Sequence, residues 1–268
     1  SELADQGWLG LTLAEEFDGL ELGCVELADV AEEMGRAVLP GPFLATTWAA
    51  ALIDASGNNG ARKKYLPRIS AGDCKSTVAL LESDSGWNPD RVALTATTDG
   101  DGHRLNGSKQ FVLDAEVADL ILCVARGDDG LVIAAVPAGT KGVTITAAPG
   151  IDRTRKLYDI EFDNVAVEAA GVIATGDAAE AALHRSRYVA AVVAAAELVG
   201  GMQWVLETAG EYVKTRKQFD RPVGSFQAVQ HQCADMLLYT ESARSATYAA
   251  AWAISVDDPS TAKAVAMA

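Results

Sequence analysis

Two long apolar stripes, separated by one short polar interruption, limit the fold of this chain more than any other feature of its sequence. Val189, Val192, Val193, Ala196, Val199, Leu206 and Val213 keep one face apolar towards Thr215, at the three- and four-residue spacing of a helix. After Phe219-Asp220-Arg221-Pro222-Val223-Gly224, a second stripe runs through Phe226, Val229, Cys233, Met236, Leu237, Ala243, Ala246 and Ala250. Helices of that length, Ala-rich on one side, have to bury the stripe against other helices or against another subunit. Asp258 before Pro259 reads as an N-cap opening a third helix that the sequence leaves at Ala268, so the reading expects part of a larger bundle.

The texture upstream is different. From residue 1 to about Asp73 it is helical, with Val25, Leu27, Ala28, Val30, Ala31 and Met34 on one face, a break at Pro40-Gly41-Pro42, an apolar helix in FLATTWAAALIDA, and a short basic helix from Ala61 to Ile69. From Lys75 to about Ala170 it changes to seven β-rich runs: STVALLE, RVALTATT, HRLNGSKQFVL, ADLILCVAR, GLVIAAVP, GVTITAA and KLYDIEF. Turns such as Asp99-Gly100-Asp101-Gly102 and Asn106-Gly107 separate them. The expected class is therefore α+β: an N-terminal helical domain over residues 1–73, a small β-barrel or sandwich over 74–172, and a partial helical bundle over 173–268.

Charge and motifs exclude several functions. The net charge of -15 repels nucleic acid and anionic membranes, and basic residues form no long run. Cys24, Cys74, Cys123 and Cys233 lie far apart without CxxC spacing, which points to buried thiols and to no metal site. His103 reads as a strand residue, and His184 and His231 as residues of helix surfaces. No GxGxxG follows a strand and no GxxxxGK[ST] occurs, so a nucleotide cofactor would be held by other means. The apolar stretches are short and Ala-rich, and SELADQGW has no secretory apolar core, from which a cytoplasmic location and no membrane association are expected.

Local motifs then make a resemblance specific. GWLGLTLAEEFDGLELG resembles the N-terminal GW-G-PEE-GG stretch of the acyl-CoA dehydrogenase superfamily, and KKYLPRISAGD resembles the segment leading into its β domain. NGSKQFVLDAEVADLILCVAR is similar to its NG-K-WITN-AD-VAR core, and Arg216 to Gln227, RKQFDRPVGSFQ, to its R-x-x-F-G-x-P-x-x-x-x-Q motif. The last motif also has a physical sense of its own. A helix ending in Arg216 and Gln218 offers donors suited to a pyrophosphate, Phe219 offers a flat face for an aromatic ring, and Gln227 offers a neutral amide. The other reading is that Arg216 and Arg221 merely cap a helix C-terminus.

The resemblance implies an FAD-dependent oxidoreductase that removes the α and β hydrogens of an acyl-CoA thioester and passes electrons to an electron-transferring flavoprotein. It implies that Arg216, Gln218, Phe219 and Gln227 reach the FAD of a neighbouring subunit, hence a homo- or hetero-oligomer, a dimer or tetramer. It places Leu81, Phe111 and Leu113 beside the flavin ring and Arg187 and Trp87 beside the acyl-CoA, while an exposed arginine at a helix start remains the alternative for Arg187. Glu197, inside the apolar stripe, reads as an interhelical hydrogen-bonding group rather than a base.

The sequence also departs from the family pattern. In LLESDSGWN, Leu81 stands for the family's threonine and Trp87 for its serine; in FVLD, Leu113 stands for the threonine beside the flavin. Asp220 replaces the usual glycine and brings a carboxylate to the expected pyrophosphate. The catalytic base is not assigned within residues 1–268: one family position lies late in the final bundle, and the alternative helical position aligns with Ser186. Loss of ring-side hydroxyls with retention of the cross-subunit arm leaves a second hypothesis open, a non-catalytic subunit that completes its partner's FAD site.

Overall fold

The computed structural model describes residues 2–83 and 86–268. They form two compact units: the segment before Gly23 with Pro40–Ala190, and Gly23–Leu39 with Ala191–Ala268.

The first unit contains α1 (Glu2–Asp5), α3 (Phe43–Ala55), α4 (Asn59–Ser70) and strands β1 (Ser76–Ala79), β2 (Thr95–Asp99), β3 (Gly102–Leu113), β4 (Leu120–Gly127), β5 (Gly130–Pro137), β6 (Val143–Ala148), β7 (Leu157–Val167) and β8 (Val172–Thr175). Between α1 and α3 in sequence comes α2 (Cys24–Arg36), which belongs to the second unit. The strands join in one eight-stranded sheet, ordered β6-β7-β3-β2-β4-β5-β8, with β1 pairing parallel to β4.

The centre of this sheet is covered on both faces, which explains the unbroken apolar runs of β4 and β5. Leu120, Leu122 and Val124, with Leu131, Ile133 and Ala135, pack into a core shared with Trp48, Leu52, Ile53, Leu66 and Ile69 of α3 and α4. Their alternates Ile121, Cys123 and Ala125, with Val132, Ala134 and Val136, fill a second core with Leu105, Tyr158, Ile160 and Phe162. Period-two alternation thus sorts one apolar string into two layers. Truncating a fully buried side chain such as Ile121 or Leu122 would cost about 2–5 kcal/mol.

Strand expectations change in several places: β2 begins only at Thr95 rather than at Arg91, and β7 continues past Phe162 to Val167. β1 stops at Ala79 instead of running through Glu82; Leu80–Glu82 is held by the Lys109 side chain and one isolated backbone bond, described below, and not by a ladder; Asp84 and Ser85 of the LLESDSGWN motif lie outside the described residues. β8 is an eighth strand that the sequence reading missed, a four-residue segment paired antiparallel to β5.

A single helix, α5 (Gly176–Thr215), runs through 40 residues. Among the described residues it is the one helix long and apolar enough to cross a membrane; some of its apolar positions are used in protein cores, while Leu198, Trp204 and Val205 are exposed. Ala179, Ala182 and Leu183 are buried in the first unit; Val192, Val193, Ala196 and Val199 are buried further along.

The second unit holds α2, the rest of α5, a two-stranded ribbon of β9 (Lys217–Gln218) and β10 (Arg221–Pro222), α6 (Gln227–Ser255) and α7 (Thr261–Met267). Helix α2 starts where the Glu26 carboxylate accepts the Gly23 N–H at 2.9 Å. Its backbone meets that of α5 with no room for side chains. A Cβ added to Gly35 would lie 1.9 Å from the Glu197 carbonyl oxygen, and one added to Gly200 would lie 1.9 Å from that of Glu32. Glu197 itself is buried. Arg244 of α6 ties α6 to α2 through Glu32 at 2.9 Å and to α5 through Gln203 at 2.8 Å.

The expected N-cap at Asp258 is displaced. α7 begins at Thr261, after Pro259, and the Asp258 carboxylate accepts the Ser260 N–H at 2.7 Å and its hydroxyl at 2.6 Å, a local turn that precedes the helix.

Candidate functional site

The residues singled out from the sequence fall into three groups, two on the first unit and one on the second. The first borders β3. Leu81 is half-buried, and its carbonyl accepts the Gln110 N–H at 2.8 Å. Phe111 occupies a β-bulge: the β3–β7 register shifts between Lys109 and Val112, and Phe111 takes a left-handed φ of 52°. The bulge turns its ring outward, leaving it 53% exposed although strict alternation would give it the face of buried Lys109. Leu113 is half-buried, and its carbonyl accepts the Thr77 hydroxyl at 2.7 Å. Leu81, Phe111 and Leu113 are thus brought onto neighbouring stretches of backbone, with apolar side chains at Leu81 and Leu113 where the resemblance called for hydroxyls.

Next to Leu113 the chain turns at Asp114, which is buried with φ 50° and donates its N–H to the Lys156 carbonyl at 2.9 Å. Burial pushes its carboxyl above the ordinary range, against the pull of Arg155 and Lys156. Close by, the Tyr158 hydroxyl donates to Glu116 at 2.7 Å; that bond, with burial and the nearby carboxylates, pushes the phenol up to about 12.

Lys109 was not foreseen as a site residue. Its side chain is 0% exposed, and its Nζ donates to the Leu80 carbonyl at 3.0 Å and to Glu82 Oε1 at 2.6 Å. The Glu82 carboxylate also accepts the Ala93 N–H at 2.7 Å and the Leu94 N–H at 3.0 Å. Burial raises the Glu82 carboxyl, but Lys109 and the two amides outweigh it and hold it below its ordinary value. The available signal was a lone lysine within a run otherwise suited to a strand.

The second group lies on α3 and the first turns of α5. Trp87 is 55% exposed, with its ring 6.1 Å from that of buried Trp48. The Trp48 indole N–H donates to Ser186 Oγ at 3.3 Å, and the Ser186 hydroxyl donates to the Leu183 carbonyl at 3.0 Å. Ser186 is fully buried, so the position that the resemblance offered for a helical base carries a sequestered hydroxyl. Arg187 follows it on α5, half-buried.

The third group corrects the expected helix end. α5 ends at Thr215, and Gln218 lies in a two-residue β-hairpin, paired with Arg221. Phe219 and Asp220 form its tip with φ of 53° and 60°, the double left-handed turn that usually calls for Asn-Gly. Phe219 is 86% exposed, and its ring lies 6.1 Å from Phe226, edge to face. The Arg221 guanidinium covers Phe226 at 4.1 Å from the ring centre, and the Gln218 amide donates to the Lys217 carbonyl at 2.9 Å. Arg216 is exposed, as is Gln227 in the first turn of α6. Beside the hairpin, Val213, Pro222, Gly224, Val229 and Cys233 line a groove of about 500 Å³. The donor set suits an anionic dinucleotide: Arg216, Lys217 and Arg221 concentrate positive charge next to an exposed ring on an otherwise acidic chain.

The comparisons with known proteins agree with one another. The acyl-CoA dehydrogenase N-terminal domain matches residues 1–73, the acyl-CoA dehydrogenase middle domain residues 77–165, and the acyl-CoA dehydrogenase C-terminal domain residues 176–268. Acyl-CoA dehydrogenase FadE12 of Mycobacterium tuberculosis is 30% identical, the match covering 94% of this chain and 67% of that protein. Among solved structures, the Tcur3481-Tcur3483 steroid ACAD is 34% identical with a TM-score of 0.87, over 99% of this chain and 70% of that one. The ChsE4-ChsE5 complex from Mycobacterium tuberculosis is 29% identical with a TM-score of 0.88, over the same shares, 99% and 70%.

Proposed function

The chain belongs to the acyl-CoA dehydrogenase family, and from that premise we propose that it serves FAD-dependent α,β-dehydrogenation of an acyl-CoA thioester within an oligomer. The observation that carries the proposal is the exposed hairpin from Arg216 to Gln227, which gathers cations and an aromatic ring outside any core of its own chain. Arg216 and Gln218 would hold the pyrophosphate of FAD, Phe219 would lie against its aromatic part, and Gln227 would bond the adenylate half. Leu81, Phe111 and Leu113 would border the ring with apolar surface, which excludes water from it. When bound, FAD supplies the acceptor for the hydride leaving the β-carbon. Arg187 would meet the charge of the CoA thioester, and Trp87 would flank the acyl group. Electrons would pass to an electron-transferring flavoprotein.

A second reading, a partner subunit that completes another chain's FAD site without catalysing, is favoured by one specific observation. Leu81 and Leu113, half-buried beside β3, carry no hydroxyl where the resemblance has threonines near the flavin ring, while the exposed arm from Arg216 to Gln227 is kept. The structural likeness to two proteins named for pairs of chains, Tcur3481-Tcur3483 and ChsE4-ChsE5, supports the same reading.

Visible absorption separates the two readings. One flavin per chain when the protein is expressed alone supports an autonomous dehydrogenase. Flavin only on co-expression with a homologous chain, at half occupancy, supports the partner subunit. A colourless protein in both settings refutes both.

A further inference from the structure

Leu80, Leu81 and Glu82 follow the end of β1, where the ladder no longer fixes the backbone. Three bonds to β3 take its place: Lys109 Nζ to the Leu80 carbonyl at 3.0 Å, the Gln110 N–H to the Leu81 carbonyl at 2.8 Å, and Lys109 Nζ to Glu82 at 2.6 Å. Glu82 extends the clamp to the start of β2 through the Ala93 and Leu94 amides. Burying an ammonium group costs much unless it is paired and hydrogen-bonded, and an apolar residue of similar volume often serves stability as well or better. Position 109 is fully buried, so an apolar side chain would have sufficed for packing alone. What the lysine adds is direction, because a charged donor fixes two acceptors from neighbouring residues at once. The Phe111 bulge begins at this point of β3, so one clamp sets both Leu81 and Phe111 relative to each other.

We propose that Lys109 and Glu82 are a positioning pair for the flavin site that Leu81, Phe111 and Leu113 border, holding the Leu80–Glu82 stretch against β3. The inference rests on the FAD reading above and goes beyond it in assigning a role to two buried residues that hold the lining backbone. Neither is a catalytic residue.

The test uses the flavin-carrying assembly, alone or co-expressed as the wild type requires. Lys109→Met and, as a packing control on the same strand, Val112→Ala are compared for FAD affinity, flavin absorption and melting temperature. Lys109→Met weakens FAD binding by about tenfold or more and shifts the visible band, as loss of a charged hydrogen bond predicts, while Val112→Ala melts earlier with its flavin spectrum unchanged. Should Lys109→Met not fold, Glu82→Gln keeps one oxygen as an acceptor for Lys109 and the Leu94 N–H but removes the charge and the second acceptor, which serves the Ala93 N–H; it produces the same band shift with a smaller loss of affinity. Unchanged FAD affinity and spectrum in the folded Lys109 variant, or in Glu82→Gln, overturns the proposal alone. Equal flavin loss in Val112→Ala also overturns it, because the effect is then general to the core. A wild type without flavin in every assembly overturns the FAD reading and this proposal together.

Discussion

The indole of Trp48 on α3 donates its N–H to Ser186 Oγ on α5 at 3.3 Å, with both side chains buried. Ser186 is therefore a structural acceptor at a position where the family resemblance offers a base. Ser186→Ala leaves a buried indole N–H unsatisfied, which destabilises by about 1–3 kcal/mol. If the residue only holds α3 to α5, chemical denaturation shows that loss while flavin content and any acyl-CoA turnover of the assembly stay at the wild-type level. A fall in turnover larger than the loss of folded protein explains would return Ser186 to the reaction.

Gly35 and Gly200 report a different constraint, the approach of two backbones. A Cβ at Gly200 would lie 1.9 Å from the Glu32 carbonyl oxygen and 2.6 Å from the Arg36 nitrogen, both backbone atoms that cannot rotate away. Gly200→Ala thus forces α2 and α5 apart, and overpacking of that kind costs about 1–3 kcal/mol or more. Gly201, one residue along, meets nothing within 4 Å, so Gly201→Ala is tolerated and gains helix propensity. Paired thermal melts of the two variants check the contrast; similar melting temperatures would contradict the close approach.

How much of this was legible beforehand depends on which physics set each element. The helical and β stretches were legible because period and punctuation are local properties of the chain. So was the burial of the thiols of Cys24, Cys74 and Cys123, whereas Cys233 is only half-buried. The hairpin after Thr215 was not, since Phe219-Asp220 carries no turn signal and its left-handed pair is imposed by strand pairing. Lys109 was passed over because alternation alone cannot show that bulges beside Gly107 and Phe111 bring a lysine inward onto a distant glutamate. The early end of β1 coincides with the same unseen ion pair. In α6 the apolar stripe left burial in a bundle or against another subunit open; its buried residues begin at Thr240, and Leu237 is exposed, because periodicity identifies a face and does not say which part of it is covered within this chain.

Tyr158 gives an alkaline signature. Its hydroxyl donates to Glu116, and that bond, then burial, lifts the phenol to about 12 from the ordinary 10. Because the folded-state value is raised, the stabilisation is fully present below pH 10 and is lost as pH climbs towards 12. Tyr248 is also pushed upward, by burial first and then by Glu32 and Asp29, and contributes in the same direction. Denaturant midpoints between pH 9 and 11.5, ordinary solution conditions for tyrosine titration, fall less steeply for Tyr158→Phe than for the wild type. Parallel pH profiles would show that Tyr158 titrates alike in both states.

Asp220 and Arg216 should act on flavin retention in opposite directions if the hairpin holds a pyrophosphate. Asp220 sits at φ 60° on the hairpin tip, a conformation that glycine adopts without strain, and its carboxylate adds negative charge beside Arg221 and Lys217. Asp220→Gly removes that repulsion and preserves the turn, so the assembly keeps more flavin through gel filtration, with FAD affinity rising about two- to tenfold. Arg216→Ala removes a donor from the same surface and lowers flavin retention by about tenfold or more. Arg216 is exposed, so neither variant disturbs a core, and melting of the flavin-free chain stays within about 0.5 kcal/mol of the wild type. Retention unchanged in both variants would mean that the hairpin's charge serves another contact, and that the flavin is held without this arm.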